Sequence, residues 1–198
     1  MVKKANAKSA DSQTPRDQAI NAMLALAAEM PFEMVGLKDI AAEAGLSLSE
    51  LAGLFEDKAA ILSAYGRRLD QRILEGAPNI ANDMSPRDLL FDLLMDRFDQ
   101  INQHRPALLS ILGSFKFDPK EALFSLPHLG RSMAWVLEAA GVQTGGYKGA
   151  LRVLGLTGVY LYALRAWKED GSEDLAKTMA ALDRALERTE SWAQNFGL

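Results

Sequence analysis

The 198-residue chain contains no cysteine. That excludes disulfides, a thiolate metal site, an iron–sulfur cluster and a cysteine nucleophile, and it fits a reducing compartment. Histidine is nearly as scarce: His104 and His128 are the only two. Neither has a second histidine or a carboxylate at ligand spacing, so neither a metal site nor a cofactor is expected. A basic excess is lacking as well. The 22 Lys and Arg face 26 Asp and Glu, a formal net charge of −4. This excludes a generally basic protein that coats nucleic acid, although it leaves room for a small local DNA contact.

Long apolar runs are missing too. The longest, LRVLGLTGVYLYAL from Leu151 to Leu164, is interrupted by Arg152 and is too short to span a bilayer. Residues 1–15 are rich in Lys, Ser, Ala and Gln, with no apolar centre, and read as a disordered tail carrying Lys3, Lys4 and Lys8. A soluble, cytoplasmic protein without a membrane span is the expectation. No serine stands in a G-x-S-x-G elbow, and the glycines of Gly145-Gly146-Tyr147-Lys148-Gly149 lack the dinucleotide-binding spacing. No enzyme signature is present.

Strand signals are absent: there is no sustained period-2 alternation and no Asn-Gly or Asp-Gly hairpin. Helical periodicity fills the chain instead. Ile20, Met23, Leu24 and Ala27 mark a helix over about 16–30, which Pro31 stops. Short helices are predicted at about 37–44 and 48–54, the second capped by Ser47 with Glu50 completing a capping box. Asp57 caps a long helix to about 77, and Ser85-Pro86 opens the next. A helix at 105–115 follows, then a segment from Pro119 to Ala140 that Pro127 breaks or kinks. A helix at 147–167 is apolar nearly all round, and Ser172 caps the last, whose stripe runs from Leu175 to Ala193 and Phe196. The fold class is all-α: a compact three-helix unit at 16–56 and a larger helical body at 57–198.

Residues 36–58 read GLKDIAAEAGLSLSELAGLFEDK. Two short helices about a Gly-containing turn make a helix-turn-helix, with Ile40 and Ala41 facing the first helix, Leu46 plugging the core and Leu51 anchoring the second short helix. DIAAEAGLS, followed by an aromatic and by Lys58-x-x-Ile61-Leu62, resembles the N-terminal domain of TetR-family transcriptional regulators from about Arg16 to Arg72. The resemblance implies a third helix that enters the major groove and a dimeric body that holds a small-molecule ligand, so that two half-sites are read together. It implies DNA contacts from Lys38, Ser47, Ser49, Glu50 and Lys58, with Lys58 in the phosphate-contacting position. The reading face departs from the family pattern. Gly36 stands where Thr or Ser is usual, the usual Tyr is absent, and Leu54 replaces a common His. From Arg16 to Leu62 three positive residues face eight negative ones, a net of −5, which opposes phosphate binding. PFEMVGLKDIAAEAGLSLSELAGLFEDKAAI is also similar to the N-terminal segment of ubiquinone-biosynthesis lipid-binding proteins. That likeness implies a body holding an isoprenoid or other lipid and an N-terminal unit that is only structural.

Phe91, Met95, Phe98, Phe115, Trp135 and Tyr160 are candidates to line an apolar cavity for a small ligand or lipid, with core packing as the plain alternative. Arg131, on the same helix as Trp135, is the candidate partner for a ligand carboxylate. The helix at 147–167 must be buried on every side. With the helix at 172–195 it would form a four-helix interface in a homodimer, the alternative being burial within one chain.

Overall fold

The computed structural model describes residues 14–77, 84–115 and 119–196, without the side chains of 119–125 and 192–196. The expected tail with Lys3, Lys4 and Lys8, and the side chains of Ala193 and Phe196, lie outside the described residues. Among these there are nine α-helices, one short 3-10 turn and no strand.

Local chemistry marks the helix starts. The Thr14 hydroxyl accepts from the Asp17 amide at 3.1 Å and Pro15 opens α1 (Pro15–Glu29). After the 3-10 turn Phe32–Met34 come α2 (Leu37–Glu43) and α3 (Leu48–Leu54). Gly45 between them has φ +68°, where a Cβ is strained. It allows the Leu46 amide to reach the Ala41 carbonyl at 2.9 Å and its own amide to reach Ala42 at 3.1 Å, which ties off the last carbonyls of α2. Asp57 caps α4 (Lys58–Gly76) by accepting from the Ala60 amide at 2.7 Å. Ser85 caps α5 (Pro86–Asn102) in the same way through Asp88, and α6 is Arg105–Ser114.

Of the two outcomes open for Pro127, the break does not occur: α7 runs continuously from Pro119 to Ala139 with Pro127 inside it. The second half departs from the sequence reading at its last helix. The last helix, α9 (Ala176–Phe196), begins four residues after Ser172. Leu175, buried with φ +53°, interrupts helical geometry just before it, while the Ser172 hydroxyl still accepts from the Ala176 amide at 3.1 Å. Between them lies α8 (Gly146–Glu169).

Ile20, Met23, Leu24, Ile40, Ala41 and Leu51 are buried where α1, α2 and α3 meet. The short helices could not bury this surface alone, and α1 packs in turn on α6 and α4 of the body. Within the body α4 lies on α7, α7 on α8 and α8 on α9. Trp167 is fully buried, its ring nitrogen donating to Asn102 at 3.2 Å. Arg105 sits over its ring at 4.7 Å and donates to the Trp167 carbonyl at 2.9 Å, placing a cation at the C-terminal end of α8.

Candidate functional site

The helix-turn-helix is held rigidly. Glu50 accepts from the Ser47 amide at 2.8 Å and the Ser47 hydroxyl at 2.7 Å, while the Glu50 amide donates back at 3.2 Å. These bonds hold the Glu50 carboxyl below its ordinary pKa and direct it at the helix start. Lys58, at the first position of α4, donates to the Phe32 carbonyl at 3.1 Å and lies over the Phe32 ring at 4.6 Å. Arg16 is likewise engaged, donating to the Leu54 carbonyl and stacking on Phe55 at 4.5 Å. Two of the three cations between Arg16 and Leu62 thus brace the frame, and Lys38 and Ser49 stand exposed.

The body encloses a cavity of about 580 Å³. Leu62, Tyr65 and Leu69 of α4 form one wall, and Leu108, Ile111 and Leu112 of α6, with Phe115 just after it, another. Leu126, Leu129 and Trp135 of α7, with Tyr160, Leu161 and Leu164 of α8, close it. Of the residues proposed from the sequence for a ligand, Phe115, Arg131, Trp135 and Tyr160 line it. Phe98 does not: it is fully buried behind Tyr160, the two rings stacked with centroids 5.2 Å apart. Phe91 and Met95 pack on the core and are also off the wall. The reason is helical phase. Arg97 and Ile101 are the α5 residues on the cavity, and Met95 lies about 200° round the helix from Arg97.

The polar floor was not foreseen. Arg97, buried in α5, ion-pairs with Asp70 of α4, and the Ser132 hydroxyl donates to the same Asp70 oxygen at 2.6 Å. Burial opposes the Arg97 charge, but Tyr160 and Asp70 beside it outweigh that and raise its pKa. Burial, with Tyr160 nearby, pushes the Tyr65 hydroxyl up to about 12, so it is a neutral donor. That hydroxyl is buried and meets no hydrogen-bond partner among the described residues. A signal did exist: Arg97 stands four residues from both Leu93 and Ile101, within the apolar stripe of its helix.

At the exposed mouth, Arg67 of α4 faces His128 and Arg131 of α7. Arg131 lies 2.8 Å from His128 Nδ1. A guanidinium only donates, so Nδ1 accepts and the ring proton sits on Nε2. Burial and the two arginines hold the His128 pKa below its ordinary value.

A shallow groove bounded by Met30, Pro31, Pro106 and Ser110 marks the seam between the N-terminal unit and the body. The Ser110 hydroxyl bridges this seam, accepting from the Phe32 amide and donating to the Met30 carbonyl. Among the described residues no cluster of His, Asp or Glu could hold a metal, and no helix is long and apolar enough to cross a membrane.

A helix-turn-helix unit fixed to a helical body with its own apolar cavity defines a TetR-fold protein. Solved structures bear this out over nearly the whole chain. A TetR transcriptional regulator from Nitrosomonas europaea is 27% identical, with a TM-score of 0.73, over 90% of this chain and 99% of that one. A TetR transcriptional regulator from Rhodococcus sp. RHA1 is 15% identical, with a TM-score of 0.60, over 91% and 97%. Thermus thermophilus FadR, a TetR-family repressor solved with lauroyl-CoA, is 21% identical, with a TM-score of 0.60, over 88% and 94%. No protein-family model and no curated protein matches the chain.

Proposed function

We propose that this protein is a transcriptional regulator that binds DNA as a homodimer and is switched by a small apolar ligand. One observation carries the reading: the helices that wall the cavity also brace the helix-turn-helix. α6 gives Leu108, Ile111 and Leu112 to the cavity and Ser110 to the 3-10 turn. α4 gives Tyr65 and Leu69 to the cavity and Lys58 to the same turn. A ligand that favours one arrangement of α4 and α6 thereby favours one placement of α3. The lauroyl-CoA held by Thermus thermophilus FadR supports a ligand with an apolar chain for this fold.

Dimerisation rests on α8. Tyr147, Leu151, Leu154 and Tyr162 are exposed along one face of the single chain, although the sequence calls for a helix buried all round. A second copy of α8 and α9 would cover them and fix the distance between paired recognition helices.

The test is retention of genomic DNA fragments by the purified protein at low and moderate salt. Sequence-selective retention that falls steeply with salt supports the regulator. No retention at either salt rejects it and favours a second reading, a TetR-fold lipid carrier whose N-terminal unit is structural. The net negative charge of residues 16–62 and the inward engagement of Arg16 and Lys58 support that alternative. Native mass spectrometry for a co-purified lipid tests it directly.

A further inference from the structure

The cavity is apolar along its length but electrostatically lopsided. Its charged lining residues are Arg67, Arg97, Arg131 and Asp70. Asp70 is committed to Arg97 and Ser132 on the floor. Arg67 and Arg131 remain at the mouth, and neither forms an ion pair with a carboxylate among the described residues. They come from different helices and converge on His128, whose Nε2 proton is a further donor. Two guanidiniums and an imidazole donor beside a greasy chamber repel a cation and gain little from a neutral oil.

We infer that the ligand is a chain amphiphile: an acyl chain whose terminal group is anionic, the chain lying in the chamber and the anion on Arg67, His128 and Arg131. The inference rests on the cavity being the ligand site of the proposed function, and it names the ligand's class. Guanidiniums suit the head because their fixed forks match carboxylate and phosphate oxygens. Leu112, Leu129, Leu161 and Leu164 suit the chain, each methylene removed from water adding favourable transfer energy. Two sources supply such chemistry: a free fatty acid through its carboxylate, and an acyl thioester through the phosphates of its carrier.

The experiment is calorimetric titration of the intact protein, below micelle-forming concentrations, with laurate, lauroyl-CoA, methyl laurate and dodecyltrimethylammonium. At least one anion binds about tenfold to a hundredfold tighter than methyl laurate, the range expected for charge-assisted hydrogen bonds, and the cation binds worst. Laurate as the tight ligand identifies the free acid, and lauroyl-CoA as the tight ligand identifies the thioester. Arg67→Gln and Arg131→Gln each shrink the ratio of anion to methyl laurate affinity. Both positions are exposed, and an unchanged thermal unfolding profile confirms the fold of each variant. Equal affinity for methyl laurate and both anions overturns the inference, as does failure of both anions to bind, or an anion preference that survives both substitutions. No DNA enters this titration, so its failure is separate from failure of the DNA-retention assay.

Discussion

Ser110 on α6 accepts a hydrogen bond from the Phe32 amide at 3.0 Å and donates one to the Met30 carbonyl at 3.2 Å. One hydroxyl thus satisfies a donor and an acceptor where the chain leaves α1 and turns toward the helix-turn-helix. Phe32 is buried, so its amide has little access to water once the hydroxyl is gone. Ser110→Ala should cost about 1–3 kcal/mol, the usual range for a buried polar group left unpaired. Urea unfolding measures this. The variant should also lose part of the ratio between DNA affinities with and without ligand, because α6 then holds the turn less firmly. An unaltered ratio would show that the signal travels through α4 and Lys58 instead.

Buried Arg97 and half-buried Asp70 form an ion pair on the cavity floor, with Ser132 donating to Asp70 as well. Removing one partner strands the other away from water. Asp70→Ala should therefore destabilise the fold by about 3–5 kcal/mol. The double substitution Asp70→Leu with Arg97→Met removes both charges and should recover most of that loss. Chemical denaturation of the single and double variants gives the coupling. A double variant as unstable as the sum of its parts argues against the charge-stranding account.

Leu154 points away from the body of its own chain, 68% exposed, in the middle of the α8 stripe. Covered by a second chain, it would be near the centre of the interface, where truncations cost most. Leu154→Glu should convert a dimer to a monomer at micromolar concentration and abolish selective DNA retention with it. Its effect on monomer stability should be slight, since most of Leu154 is already exposed in the single chain. Sedimentation velocity resolves the two species.

Much of the fold is legible in the sequence because its punctuation is local. Ser47 with Glu50, Ser85 with Asp88, and Gly45 each act within a few residues, and each forms the cap or turn that its spacing implies. Pro127 leaves a break and a kink equally open in the sequence, and packing against α4 and α8 accompanies an α7 that continues through it. The cavity is harder to read. Phe91, Met95 and Phe98 are chemically as fit to line it as Phe115, and only the rotation of α5 about its axis separates them. Asp70, Arg97 and Ser132 lie on three helices, and nothing in one helix announces the others. Lys58 matches the family position, but its engagement with Phe32 depends on where the 3-10 turn comes to rest.

Asp170 links the end of α8 to the start of α9 and carries a pH dependence of definite sign. It is buried and accepts from the Ser172 amide at 3.1 Å, the Ser172 hydroxyl at 2.5 Å, and the amide and hydroxyl of Thr178, each at 2.8 Å. Burial pushes its carboxyl up, but the hydrogen bonds from Ser172 and Thr178 outweigh it and hold the group well below the usual carboxylate range. With the folded value depressed, the contribution to stability is fully present above the unfolded carboxyl's pKa, at about pH 4, and is lost as pH falls toward the folded value. Asp170→Asn keeps one acceptor and turns the other into an NH₂ that faces donors of Thr178 or Ser172. At neutral pH it should cost about 1–3 kcal/mol. The gap between the two proteins should stay constant from about pH 5 to 8 and narrow below about pH 4, as the wild-type carboxyl takes up a proton. Urea unfolding across that range reads it. A gap that stays wide into acid would assign the cost of Asp170→Asn to altered packing at the α8–α9 corner instead of to the carboxylate's charge.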